Sequence, residues 1–196
     1  MKTKPRLLVA FAALILIITY FVPIWKIDLN APQYPEGLGL RIWLNEIGGL
    51  KPNDLQNING LNHYIGMKAI VPESIPELKI MPFIIAFMIF FGLFNAAIGK
   101  PVLPKIWVVT FIIIGIVGLI DFYLWGYNYG HNLDPSAPIK VPGMTYQPPL
   151  IGSKQLLNIN AVSLPYTGGY IIFISIILTT IAVYYNSKLL KAEKAK

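Results

Sequence analysis

One apolar stretch, residues 106–125, reads IWVVTFIIIGIVGLIDFYLW and contains a single charged residue, Asp121. As an α-helix these residues rise about 30 Å, which matches the hydrocarbon core of a bilayer. A stretch of this length and composition is typical of a transmembrane helix. Asp121 lies near its end, where a structural hydrogen bond and a role in binding a proton or ligand are both open.

Three further apolar runs have the same character, and they occupy residues 7–25, 80–98 and 168–185. The sequence therefore predicts an all-α membrane protein: one domain, residues 1–196, with four antiparallel transmembrane helices. The first run lacks a small-residue cleavage site, so we expect a retained anchor rather than a signal peptide.

Two long polar loops, residues 26–79 and 127–165, separate these runs, and we expect them to form one cap, largely irregular with one or two short helices. Nine arginines and lysines lie in the N-terminal tail, the turn 99–105 and the tail from Asn186, whereas the two much longer loops hold seven. The positive-inside rule then places both termini in the cytoplasm and both loops outside. The expected location is a cytoplasmic membrane, crossed several times.

Composition also excludes several kinds of site. Charged residues make up 13% of the chain, against about 25% in soluble domains. There is no cysteine and no histidine within a span, so neither iron–sulfur clusters nor haem are expected. The net charge of +7 is spread over tails and loops, so no nucleic-acid partner is expected. No phosphate loop, nucleophile elbow or carboxylate pair occurs, so we do not expect an enzyme.

The first loop contains two stretches with helical periodicity. Residues 38–47 predict a short amphipathic helix, whose Trp43 lies either at the lipid headgroups or packed within the loop. Residues 54–71 form an apolar stripe on one helical face, while His63 and Met67, four residues apart, share the other. The second helix could therefore pack on one side and present an imidazole and a thioether on the other.

Histidine and methionine occur together in both loops. The first loop holds His63 and Met67, and the second holds His131 and Met144. Imidazole and thioether groups favour copper, so these four side chains are candidate copper ligands if the two loops meet. The alternative is that the histidines are unrelated loop residues that pack or form hydrogen bonds.

Two acids and an aromatic group complete the candidate sites. Asp121 or Asp134 could orient an imidazole by accepting a hydrogen bond from the ring nitrogen that does not bind the metal, or could carry a proton. Tyrosines and tryptophans cluster at the outer ends of the spans, where an aromatic belt explains most of them. A quinol pocket would use the same residue types, with Asp121 or His131 accepting a proton.

Several long motifs resemble one family. They are Ala31-Pro-Gln-Tyr-Pro-Glu-Gly-Leu38, Ile58-Asn-Gly-Leu-Asn-His-Tyr-Ile-Gly-Met-Lys68, Gly130-His131 and Val141-Pro-Gly-Met144. The family comprises small polytopic membrane proteins encoded beside nitrous oxide reductase and its copper-maturation genes in bacteria. The resemblance implies a bacterial inner-membrane protein that takes part in nitrous oxide respiration. Its expected partner is nitrous oxide reductase or another product of that (nos) gene cluster.

Two functions of different classes follow from these observations. The first is an accessory protein that docks the copper enzyme at the outer face and helps to load or retain its copper, with Trp43 and Tyr64 as candidate partner-binding residues. The second is a redox subunit that passes electrons from membrane quinol to that enzyme. Because the second requires a cofactor and no clear haem or iron–sulfur ligands occur, we favour the first.

Overall fold

The computed structural model describes residues 1–194, and four helices in this range are long and apolar enough to cross a membrane. The helical character of the four predicted spans is thereby confirmed, and the chain is a candidate multi-pass membrane protein. A fifth, shorter helix lies in the first loop. The helices are α1 (Thr3–Ile15), α2 (Asp54–Ile65), α3 (Glu77–Ile98), α4 (Leu103–His131) and α5 (Thr167–Lys194).

The bounds of all four spans differ from the predicted ones. The second begins three residues earlier, at Glu77, and the fourth runs from Thr167 to Lys194, nine residues beyond its predicted end. The first begins at Thr3, continues beyond α1 as a 3₁₀ helix, and ends at Tyr20, because Pro23 cannot extend a helix and a strand follows at once. The third extends six residues beyond Trp125, so His131 is the last residue of a helix rather than part of a loop. Residues 195–196, the end of the predicted basic tail, lie outside the described residues.

Small residues allow the spans to approach closely. Ala12 and Ala13 on α1 are fully buried between α3 and α5. A Cβ added at Gly92 on α3 would lie 2.6 Å from the Cβ of Ala13, so glycine is required there. On the other side, the Ser175 hydroxyl donates a hydrogen bond of 2.6 Å to the carbonyl of Ala12. Helix contact here depends on small side chains and one buried hydroxyl.

The outward faces of the spans are apolar. On α3, large aromatic side chains recur every three or four residues and are all exposed: Phe83, Phe87, Phe90 and Phe94. In water such a surface would be unfavourable, whereas in a bilayer it faces lipid tails. The exposed apolar faces therefore point to the same environment, a lipid bilayer, as do the length and composition of the helices.

The two loops contain a five-stranded antiparallel sheet, so the prediction of an all-α protein with a largely irregular cap is wrong. The strand order is β3-β2-β1-β5-β4. The pairing of β1 with β5 joins the two loops and places Trp25 opposite Pro165. Pairing between the loops satisfies backbone groups that an irregular cap would leave to water. The strands are β1 (Trp25–Ala31), β2 (Tyr34–Ile42), β3 (Ile47–Gly49), β4 (Gly152–Leu156) and β5 (Ile159–Pro165).

The predicted amphipathic helix over residues 38–47 is also wrong, because this stretch forms the end of β2, a turn and the start of β3. Glycine disfavours a helix, and Gly39 allows a close approach in the sheet: a Cβ there would lie 2.9 Å from the Cβ of Leu50. Trp43 donates its backbone N–H to the Glu46 carbonyl at 2.9 Å and closes the turn. Leu44, at the turn, is buried in the core of the spans and ties the sheet to them.

A second core lies between the sheet, α2 and the ends of α3 and α4. Its centre is aliphatic, with Ile27, Leu40 and Ile58 buried together, and the aromatic side chains of Trp125 and Tyr129 pack at its edge. We call the sheet, α2 and the segment between α4 and β4 the sheet unit. This second core makes the sheet unit a folded body rather than a pair of mobile loops.

Candidate functional site

The two long loops meet a second time at the end of α2. The Asp134 N–H donates a hydrogen bond of 2.8 Å to the Gly66 carbonyl, and the Ile139 N–H donates one of 2.9 Å to the Tyr64 carbonyl. Gly66 ends the helix at a φ of +80°, and a Cβ there would lie 2.9 Å from the Asp134 carbonyl oxygen. Glycine is therefore required by both the backbone conformation and the contact.

His63 and Met67 do not share a helical face, because α2 ends at Ile65 and the predicted helix over 54–71 is too long. Met67 follows the left-handed Gly66 and donates its N–H to the Asn62 carbonyl at 2.9 Å. The His63 ring is exposed and makes an edge contact with the Tyr64 ring, 6.0 Å between centroids. The two side chains have different surroundings, because Met67 lines the interior cavity whereas His63 is exposed.

His131 is held at the end of α4. Its ring stacks on Tyr127 with 3.8 Å between centroids, and Nδ1 lies 2.9 Å from the Tyr127 carbonyl oxygen. Because a carbonyl only accepts, Nδ1 carries the proton, which leaves Nε2 of a neutral ring free to accept a hydrogen bond or bind a metal. Met144 is half-buried in a turn closed by its own N–H on the Val141 carbonyl at 3.1 Å.

The two candidate acids have different surroundings. Asp121 is exposed on α4, ten residues before the helix ends at His131. Asp134 accepts hydrogen bonds of 2.7 Å from both the hydroxyl and the N–H of Ser136. These bonds, with a smaller contribution from the charges of His63 and Lys140, hold the pKa of Asp134 below its usual value. Asp134 is bonded to Ser136 and forms no ion pair with His63 among the described residues, so its role as an orienting carboxylate stays a prediction.

The structure brings together the segments that carry the four candidate ligands, and goes no further than that. Among residues 1–194, no three histidine, aspartate or glutamate side chains cluster as metal ligands would. The thioethers of Met67 and Met144 would have to complete any site. A copper site made of His63, Met67, His131 and Met144 stays a prediction.

An ionic cluster on the sheet was not predicted from the sequence. Asp28 accepts hydrogen bonds from Lys26 at 2.8 Å and from the buried Arg41 at 2.7 Å, and the Arg41 guanidinium lies 5.1 Å from the centroid of the Tyr166 ring. Burial acts to raise the pKa of Asp28, but the hydrogen bonds and charges of Lys26 and Arg41 outweigh it and lower the pKa. Lys26 lies opposite Arg41 in the β1–β2 register, which distant sequence positions do not reveal.

A cavity of about 430 Å³ lies between the sheet, α2 and the end of α4. Isoleucines and leucines from the sheet and α2 line it, together with Trp125 and Tyr129 from α4 and Tyr146, and none of its lining residues is charged. Met67 and Tyr64, two residues selected from the sequence, also line it. The residues predicted to bind a partner and a metal therefore border an apolar cavity.

Comparison with known proteins finds no family model that matches the chain and no matching curated protein.

Three of the residues that line this cavity are also apolar side chains exposed at the surface of the sheet unit. They are Tyr64, exposed to 55%, Ile139, exposed to 47%, and Leu157, exposed to 39%. We call these three residues the mouth patch. Tyr64 was selected from the sequence, whereas Ile139 and Leu157 were missed because only folding places them beside α2. Trp43, the other predicted partner residue, is half-buried with its ring over Gly48.

Proposed function

We propose that the chain is a non-enzymatic accessory protein of the bacterial inner membrane that docks nitrous oxide reductase, an extracytoplasmic copper enzyme, and helps to load or retain its copper. The mouth patch carries this proposal, because exposed apolar side chains grouped on a folded body are typical of interaction sites. The identity of the partner rests on the family resemblance of residues 31–38 and 58–68. Tyr64 belongs to both the motif and the patch.

The docking surface is expected to be preformed. Its three residues come from α2, from the segment bonded to α2 and from the β4–β5 turn, so each is anchored by backbone hydrogen bonds or strand pairing. A surface that is ordered before binding loses little conformational entropy when the partner arrives. Tyrosine is also a common centre of binding energy in protein interfaces.

Tyr64→Ala and Ile139→Ala are each expected to weaken binding of purified nitrous oxide reductase to the full chain in nanodiscs by about 30-fold. Ile151→Ala is the matched control, since Ile151 is equally exposed on the sheet unit but does not line the mouth. Biolayer interferometry would measure the dissociation constants. Trp43→Ala is a poor test, because it would disturb the β2–β3 turn as well as any contact.

Unchanged affinity in both Tyr64→Ala and Ile139→Ala would rule out docking at this patch. Absence of binding by the unaltered chain would rule out this enzyme as the partner. Thermal unfolding of each variant should match that of the unaltered chain, since these side chains are already exposed.

The orientation follows from the charge distribution. We propose that both termini are cytoplasmic and that the sheet unit forms a cap on the outer face. Alkaline phosphatase, which is active only outside the cytoplasm, should be inactive when fused after Lys196 and active when inserted after the exposed Gly143. The opposite pattern of activities would invert the topology and remove the docking proposal with it.

Copper loading would use His63, Met67, His131 and Met144, with His131 binding through Nε2 because Nδ1 is already bonded. The purified chain should bind about one Cu(I) under reducing conditions, and His63→Ala combined with His131→Ala should abolish binding. Methionine does not titrate, so copper retained at low pH would indicate thioether ligation. An unaltered chain that binds no Cu(I) would leave docking as the only proposed role.

A further inference from the structure

The cavity in the sheet unit has the chemistry of a ligand site. Its volume of about 430 Å³ falls within the range of roughly 300–1,000 Å³ that small-molecule sites occupy. Its walls are mainly aliphatic and aromatic, and no charged side chain lines it. A charged metabolite would not be stable in such surroundings, whereas a neutral, largely hydrocarbon molecule would gain by leaving water.

One polar group in the lining has no partner. Tyr146 is exposed to only 2%, and among residues 1–194 its hydroxyl has no hydrogen-bond partner. By contrast, the hydroxyl of Tyr129, also in the lining, donates to the Ala69 carbonyl at 3.1 Å. A buried hydroxyl without a partner is uncommon in native proteins and calls for an explanation. The hydroxyl oxygen itself is closed to solvent, so a ligand with a carbonyl or hydroxyl group would satisfy it after a small displacement of the ring.

Part of the cavity wall comes from α4, the longest of the candidate membrane spans. Trp125 and Tyr129 line it from α4, and their rings stack at 4.2 Å between centroids. Phe122, one turn earlier on the same helix, stacks on Trp125 at 6.2 Å. This aromatic row leads from the apolar part of α4 to the cavity wall. The cavity therefore adjoins a candidate membrane span, which favours a molecule dissolved in the bilayer as its occupant.

We infer that this cavity binds a neutral molecule taken from the bilayer, with a hydrocarbon body and a carbonyl or hydroxyl group that bonds to the Tyr146 hydroxyl. Two sources in a membrane share this chemistry: a quinone and an uncharged acylglycerol. The inference does not depend on docking of a partner protein, because it concerns the interior of the sheet unit rather than its exposed rim.

Equilibrium dialysis of the purified full chain in mild detergent tests the inference, with decylubiquinone and monooleoylglycerol as separate labelled probes. Tyr146→Phe deletes only the hydroxyl and should weaken binding about fivefold, the value of one net hydrogen bond. Tyr123→Phe is the matched control, because Tyr123 is exposed on α4 and does not line the cavity. Leu61→Trp, which fills the chamber, should reduce binding at least tenfold.

Each outcome decides the matter. Saturable binding of either probe that Tyr146→Phe weakens and Tyr123→Phe does not supports the site, and the probe that binds identifies the source. Quinone binding alone would also favour the electron-transfer hypothesis. Binding of neither probe above the detergent background, or binding insensitive to both Tyr146→Phe and Leu61→Trp, overturns it. Tyr146→Phe leaves the mouth patch intact, so affinity for nitrous oxide reductase reports separately on docking.

Discussion

Gly130→Ala is expected to lower the free energy of unfolding by about 3 kcal/mol, since the new methyl group cannot fit. A Cβ at this position would lie 2.2 Å from the backbone nitrogen of Gln147 and 2.4 Å from its Cα. The Tyr146 N–H also donates to the Gly130 carbonyl at 2.9 Å, so the second loop would have to leave α4. Thermal unfolding in detergent should show a fall of about 6–12 °C.

Gly118→Ala on the same helix provides the control. A Cβ at Gly118 meets nothing within 4 Å, so this substitution tests helix propensity without a clash. Its melting temperature should stay level or rise, because alanine favours a helix over glycine. Equal stability of the two variants would show that the segment 146–147 is not packed on α4. Gly130→Ala should also reduce probe binding, because it displaces Tyr146 from the cavity wall.

Asp28→Asn is expected to lower the free energy of unfolding by about 3 kcal/mol. The substitution removes the carboxylate from the buried Arg41 guanidinium, which would keep the Leu40 carbonyl as a partner but no opposite charge. This loss is at the lower end of the range for broken buried ion pairs, because Asp28 is partly exposed. Arg41→Met in the same chain should restore part of the loss, since it also removes the unpaired charge. No recovery in the double variant would contradict this account.

The same pair predicts a pH dependence. The pKa of Asp28 is held below its ordinary value of 3.8, so the folded chain keeps the carboxylate ionised more readily than the unfolded chain does. Its contribution to stability is therefore complete above the unfolded pKa and is lost as the pH falls through the folded one. The free energy of unfolding, measured between pH 6 and about pH 3, should fall less in Asp28→Asn than in the unaltered chain. A parallel loss in both would assign the acid sensitivity to other groups.

The spans were predictable because each consists almost entirely of apolar residues, a pattern that lies within one continuous segment of the chain. The sheet was harder. Residues 25–31 do alternate, with Trp25, Ile27 and Leu29 separated by polar residues, and this pattern indicates a strand. Its neighbour β5, however, lies far along the chain beyond α3 and α4, and no local pattern reveals that pairing. In β2, Gly37 and Gly39 obscure the alternation, so the apolar spacing resembles a helix.

The candidate site divides in the same way. Tyr64 and Met67 were accessible to sequence reasoning because they belong to a distinctive motif, and both line the cavity. Tyr146 carries no local signal, since its burial results from the 130–146 backbone contact. In the sequence Gly66 signals only that a helix is disfavoured, yet it ends α2 and brings the second loop to the first. Side chains can be selected from sequence, but their neighbours depend on contacts between distant segments.

The pairing of β1 with β5 has a consequence for biosynthesis. β1 leaves the ribosome among the first segments of the chain, whereas β5 is made only after α3 and α4. At synthesis rates of about 5–20 residues per second the interval is on the order of 10 s. During that time one edge of β1 is unpaired, and such an edge readily pairs with the wrong strand. The nascent protein should therefore require a holding factor on the side of the membrane where the sheet assembles, and chains truncated before Ile159 should be degraded.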